Sequence, residues 1–150
     1  MCCIIIGNEM GSFADSMKAN IKEVKQEVND KLTKVAVGMF RDVVQFSPSH
    51  ELHGSVWANG LLINQWYPSV GSASGQLGSQ ADQVGLQSMD RIAQLLGTNN
   101  FTTKDNTLWL TNNVPYAYQA EADGWFGGGM KTAPYAMVDR ALTKAKGELG

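Results

Sequence analysis

The first residues whose types could do chemistry are His50, Glu51 and His53. Imidazole and carboxylate groups bind zinc and carry protons. The histidines are three apart, whereas the zincin pattern sets two histidines four apart on a helix around a glutamate. The segment follows Pro48 and reads as a turn, so a solvated loop competes with a metal site. A small hydrolase using His50, Glu51 and His53 is the enzymatic alternative. Alanine at both histidines would abolish such an activity and leave a structural protein intact.

A second candidate is Gly127-Gly128-Gly129-Met130-Lys131-Thr132. It is similar to a phosphate loop, but Met130 stands where that loop has glycine, and no clear strand precedes it. A glycine-rich loop presenting Trp125 and Phe126 fits better. Aromatic side chains are costly to leave in water and are frequent anchors at protein interfaces. Glu121 and Asp123 are close in sequence, yet no nucleophile and base stand beside them, and no Gly-x-Ser-x-Gly occurs. No catalytic residue, cofactor site or metal site is assigned from these spacings.

The element that must position everything else is the stretch Ser12 to Phe46. Its apolar residues are Phe13, Met17, Ile21, Val24, Val28, Leu32, Val35, Met39, Val43 and Phe46, in steps of 4, 4 and 3 repeated three times. That is one stripe of an α-helix at about 3.67 residues per step-turn, the period of an eleven-residue repeat. A left-handed coiled coil is disfavoured. A nearly straight helix lying across a sheet or a neighbouring subunit is expected. Ser12 reads as the N-cap with Asp15 three residues on, and Pro48 ends the helix.

Composition narrows the class. The chain has 150 residues, 43% hydrophobic and 17% charged, which suits one domain with little surface charge. Low charge on a small protein points to contacts within an assembly. The net charge of -2 gives no case for DNA binding, and no apolar run is long enough for a membrane span. Cys2 and Cys3 are adjacent and imply no internal disulfide framework. Residues 1–11 read as an arm that orders against a neighbour, or as an extension before a start at Met10. Residues 12–150 read as one domain.

After the long helix, Asn59-Gly60 suggests a hairpin turn, with strands before Asn59 and over Trp66–Val70. Ser69 to Gln80 reads as a loop. Ser79 would cap a second helix over Gln80–Leu96, with Gly97 as its stop. Thr107–Thr111 reads as a short buried strand. Pro134 would start a last helix over Tyr135–Leu149, with Met137, Val138, Ala141, Leu142 and Ala145 inward and Lys144 and Lys146 favoured by the helix dipole. The expected fold is α+β: the long N-terminal amphipathic helix packed on a small, mainly antiparallel sheet, with a second helix and a C-terminal helix.

One segment is more specific. Asn112-Asn113-Val114-Pro115-Tyr116-Ala117, then Glu121, Gly124, Ala133-Pro134 and Met137-Val138, resembles the tail-completion (tail-terminator or neck) proteins of tailed bacteriophages. The long helix, Ser47-Pro48, Gly60 and Trp66 agree with that family, so the resemblance runs from about Ser12 onward. The family's usual Val-Asp-Thr-Gly turn after Ser/Thr-Pro is replaced here by a longer Ser49–Asn59 segment. Its Glu-Tyr-Gly is one residue longer here, Glu121-Ala122-Asp123-Gly124.

The resemblance implies a structural virion protein without catalysis. It would form a ring, commonly a hexamer, that completes the tail tube and joins the tail to the head connector. Its partners would be itself, the tail tube protein and connector or adaptor proteins, with DNA passing through the lumen unbound and no membrane involved. A head-closure or connector adaptor of the same neck is the nearest rival. In residue terms, the stripe Phe13–Phe46 would pack on the sheet holding Trp66 and Leu108–Leu110. Pro115 and Tyr116 would hold Glu121 at a subunit contact, with Tyr118 and Met130 beside it. Trp125 and Phe126 would reach a neighbouring subunit or ring.

Overall fold

A computed structural model of the chain describes residues 9–48, 60–78, 84–97, 107–124, 126–127, 130–131 and 133–149. The order is helix α1 (Glu9–Phe46), a helical turn α2 (Leu61–Asn64), strand β1 (Trp66–Val70), helix α3 (Leu86–Gly97) and strand β2 (Leu108–Asn112). A π-helical turn (Gln119–Asp123), a two-residue ladder of β3 (Phe126–Gly127) with β4 (Met130–Lys131), and helix α4 (Met137–Leu149) follow. Strands β1 and β2 pair antiparallel with Trp66 opposite Asn112 and Val70 opposite Leu108. This is the expected α+β architecture, dominated by its helices.

Several local expectations change. α1 already runs at Glu9, so Ser12 sits inside the helix and is not its N-cap. Gly60 adopts a left-handed backbone, φ 74°, but leads into the helical turn α2 rather than into a strand. The strand expected before Asn59 and the cap at Ser79 lie outside the described residues. α3 starts at Leu86, later than expected, because Gly85 has φ 78° and breaks the helical path. A Cβ on Gly85 would stand 2.8 Å from side-chain carbons of both Ile63 and Val44, so the close approach also demands glycine. β2 is half-buried rather than buried, and Trp109 is 40% exposed.

The packing of α1 departs most from expectation. Phe13, Met17, Ile21, Val24, Val28 and Leu32 are exposed, from 69% at Phe13 to 46% at Leu32. The stripe therefore does not lie on the sheet. Only the last third of α1 enters the core, and it packs chiefly on α4, with lesser contacts to α3 and α2. The buried apolar residues there are Phe40, Val43 and Val44, with Asp42 buried beside them. Phe40 and Val44 each follow a stripe residue, so they lie about 100° around the helix from it. The fold uses the end of the stripe, at Val43, together with this rotated face, and leaves the stripe uncovered from Phe13 through Leu32.

Around that face sit Leu62 and Ile63 of α2, Trp66 of β1, Ile92 of α3, Val114, Ala120, and Met137 and Ala141 of α4. Burying side chains such as Ile92 and Met137 stabilises by about 1.5–3 kcal/mol each. α4 starts at Met137 rather than Tyr135 and buries Met137, Ala141 and Ala145 as expected, whereas Val138 and Leu142 are exposed. Their positions fall outside the narrow face that α1 covers.

Candidate assembly surface

The segment Asn112 to Glu121 carries the family resemblance, and its polar atoms knit the chain together. Asn112 Nδ2 donates to the Leu62 carbonyl at 2.9 Å, and Asn112 Oδ1 accepts the Val114 backbone N–H at 3.2 Å. Asn113 Nδ2 donates to the carbonyls of Ser74, 2.9 Å, and Gln76, 2.8 Å. Thr111 Oγ1 adds a bond to the Ser74 carbonyl at 3.1 Å. The paired asparagines thus tie β2 to α2 on one side and to the loop after β1 on the other.

Pro115 and Tyr116 make the turn expected of them. Tyr116 is half-buried against the core, and burial pushes its phenol up from the usual tyrosine value. Tyr118, two residues on, is 76% exposed. The π-helical turn then widens the backbone, and its carbonyls turn toward the approach to α4. Ala120 O accepts from Tyr135 N at 3.0 Å, and Glu121 O accepts from Ala136 N at 3.2 Å. The Glu121 carboxylate continues the clasp: Oε1 accepts from Val138 N at 3.0 Å and Asp139 N at 3.3 Å, and Oε2 from Val138 N at 3.2 Å. A negative charge there satisfies orphan N–H groups and complements the helix dipole. The clasp holds Ala136 at φ 46°, the left-handed region that L side chains rarely adopt.

The expected contact residues are therefore only partly brought together. Tyr116, Tyr118 and Glu121 share one turn, with Tyr118 outward and Glu121 engaged within the chain. Trp125 lies outside the described residues. Phe126 and Met130 are described as backbone, in the ladder pairing Phe126 with Lys131 and Gly127 with Met130. That ladder is not a phosphate loop, which opens directly into a helix; here the next helix begins at Met137. His50, Glu51 and His53 also lie outside the described residues. Among the described residues, no group of His, Cys, Asp and Glu could hold a metal ion.

Three cationic side chains do more than the sequence suggested. Lys144 Nζ lies 2.7 Å from Asp42 Oδ1 and bridges α4 to α1. Its spacing from the helix end pointed only to the dipole. The hydrogen bond to Asp42 raises its pKa, burial opposes this, and the charges of Asp42 and Glu148 add to the rise. Beside it, the Arg140 guanidinium stacks 4.0 Å from the centre of the Phe46 ring. Arg91 of α3 donates to the Asn64 carbonyl at 2.6 Å and stacks 4.1 Å from the centre of the Tyr67 ring. An open groove of about 330 Å³ runs beside Arg91, between Tyr67, Ser74, Gln76 and Leu95.

The largest apolar surface among these features is the α1 stripe, about 30 Å long from Phe13 to Leu32 at about 1.5 Å per residue. Single exposed apolar residues are ordinary, whereas here six are aligned on one helix face. No described helix is long and apolar enough to cross a membrane. No protein-family model, no curated protein and no solved structure matches this chain.

Proposed function

We propose that this chain is a structural protein of a tailed-phage neck: a ring-forming tail-completion protein that ends the tail tube and offers the head connector its docking surface. The observation that carries the proposal is the uncovered stripe Phe13–Leu32, standing on a frame that uses Asn112, Asn113 and Glu121 for internal bonds. A long apolar helix face built rigidly onto a small core has the form of an assembly part. The resemblance of Asn112–Ala117, with Glu121 and Gly124, supplies the kind of assembly. In this reading the protein resides in the virion and meets its own copies, the tail tube protein and a connector or adaptor protein.

The test is to mix the purified chain with growing tail tubes of the phage that encodes it and image the products. Rings at one end of tubes of defined length are expected. Tubes that grow past any defined length with no added density would overturn the proposal. Density on isolated connectors but never on tubes would assign the chain to the head-closure side instead.

A further inference from the structure

We infer that the stripe Phe13–Leu32 joins copies of this chain through parallel, side-by-side packing of their α1 helices; the inference rests on the assembly reading above and names the contact. The first observation is the repeat. Steps of 4, 4 and 3 return the stripe to nearly the same angle every eleven residues, and Phe13–Leu32 holds almost two such repeats. Two helices stay in register along their length only if they share a period. An eleven-residue repeat packs against its own kind with straight or slightly right-handed geometry. A second copy of α1 supplies that period over the whole stripe.

The second observation is the arrangement of charge on either side of the stripe. With about 100° per residue, Lys18, Lys22 and Lys25 fall on one flank, and Glu23 and Glu27 on the other. Lys31 and Lys34 follow on the glutamate flank, one to two turns further toward the core, where Asp30 lies behind them. Lys18 lies 4.0 Å from Asp15, whereas Lys22, Lys25, Glu23 and Glu27 form no ion pair among the described residues. When identical helices run parallel, the left flank of one meets the right flank of the next. Lysines then face glutamates at nearly equal height. When they run antiparallel, each flank meets its own kind, lysine against lysine and glutamate against glutamate. Flanking charges of this sort set orientation. Over Lys18–Glu27 the pattern favours the parallel arrangement, in which the lysine flank of one helix meets the glutamate flank of the next.

The third observation is where the stripe meets the core. The chain's own packing takes α1 from Val37 onward, with Phe40, Val43 and Val44 buried, so a neighbour's helix can lie on Phe13–Leu32 without displacing α4. Copies aligned in parallel would bring their cores to the same end and hold them side by side.

The full chain is measured by native mass spectrometry and sedimentation. The wild type is expected to be a multimer, and Ile21→Glu with Val28→Glu is expected to reduce it to one chain with unchanged helix content. Glu23→Lys with Glu27→Lys should also dissociate it, and adding Lys18→Glu, Lys22→Glu and Lys25→Glu should restore the multimer. With Cys2 and Cys3 replaced by serine, Met17→Cys should form a disulfide between copies. A disulfide that forms only between Met17→Cys and Val28→Cys chains would overturn the parallel arrangement. Multimers that survive both the apolar and the charge variants would overturn the stripe contact and leave the ring reading standing. A wild type that stays a single chain, alone and with tail tubes, would overturn both.

Discussion

Glu121 reaches across seventeen residues of sequence to accept the backbone N–H of Val138 at 3.0 Å, closing the first turn of the last helix. The contact explains the one charged residue between Asn112 and Glu121. Removing a side-chain cap of this kind costs about 1 kcal/mol. Glu121→Ala should lower the urea midpoint accordingly, and Glu121→Gln, which keeps an acceptor but loses the charge, should fall between. A midpoint unchanged in Glu121→Ala would show that the clasp does not stabilise α4.

Ser47 serves two bonds at the end of α1. Its hydroxyl donates to the Val43 carbonyl at 2.9 Å and accepts from Trp66 Nε1 at 2.8 Å. All of this is buried, so Ser47→Ala leaves an indole N–H without its partner, a loss of about 1–3 kcal/mol. Trp66→Phe in the Ser47→Ala background should cost less than Trp66→Phe alone does in the wild type. Additive losses in that double-mutant cycle would deny the coupling.

The Asp42–Lys144 pair makes stability depend on alkaline pH. The folded chain holds the Lys144 proton more tightly than the unfolded chain does, since its pKa is raised. Its contribution is therefore complete below the unfolded lysine value of about 10.4 and is lost as pH rises through the folded value. Tyr116, raised by burial, acts in the same direction from about pH 10 upward. Melting temperatures should fall through this range. Lys144→Arg, whose charge persists, should flatten the fall. Lys144→Met should destabilise at neutral pH by stranding the largely buried Asp42, and Asp42→Leu should recover part of that loss. Equal pH profiles for wild type and Lys144→Arg would refute the assignment.

Two backbone positions should respond in opposite directions. Gly85→Ala places a Cβ against Val44 and Ile63 at a left-handed φ and should cost at least about 1–3 kcal/mol. Ala136→Gly relieves a left-handed alanine and should gain about 0.5 kcal/mol after the added unfolded-state entropy of glycine. Thermal melts of the two variants read both signs directly.

What the sequence revealed depended on how local each signal was. Trp66–Val70 and the helix ending at Phe46 were legible because alternation, proline and periodicity act over a few residues. The same periodicity located the α1 stripe but could not say what lies on it. A stripe looks identical whether it faces its own core or another chain. Phe40 and Val44, which join the stripe's Val43 in the core, were hidden because they fall between stripe positions. Glu121 was singled out through the resemblance as a subunit contact, yet its partners at Val138 and Asp139 lie too far along the chain for spacing to show. The Asp42–Lys144 pair was missed for the same reason, being separated by 102 residues.

Thr111 and Asn113 hold the loop after β1 through the carbonyls of Ser74 and Gln76, so they grip its path and not its side chains. The side chains of Ser72 and Gln76 can be exchanged without breaking these bonds, whereas Gly71, at φ 83°, and Gly78, packed against the Tyr67 hydroxyl, are held to glycine. The fold thereby fixes the shape of this surface at a few backbone points and leaves the letters between them free, the condition under which a contact can be retuned to a new partner without rebuilding the protein behind it.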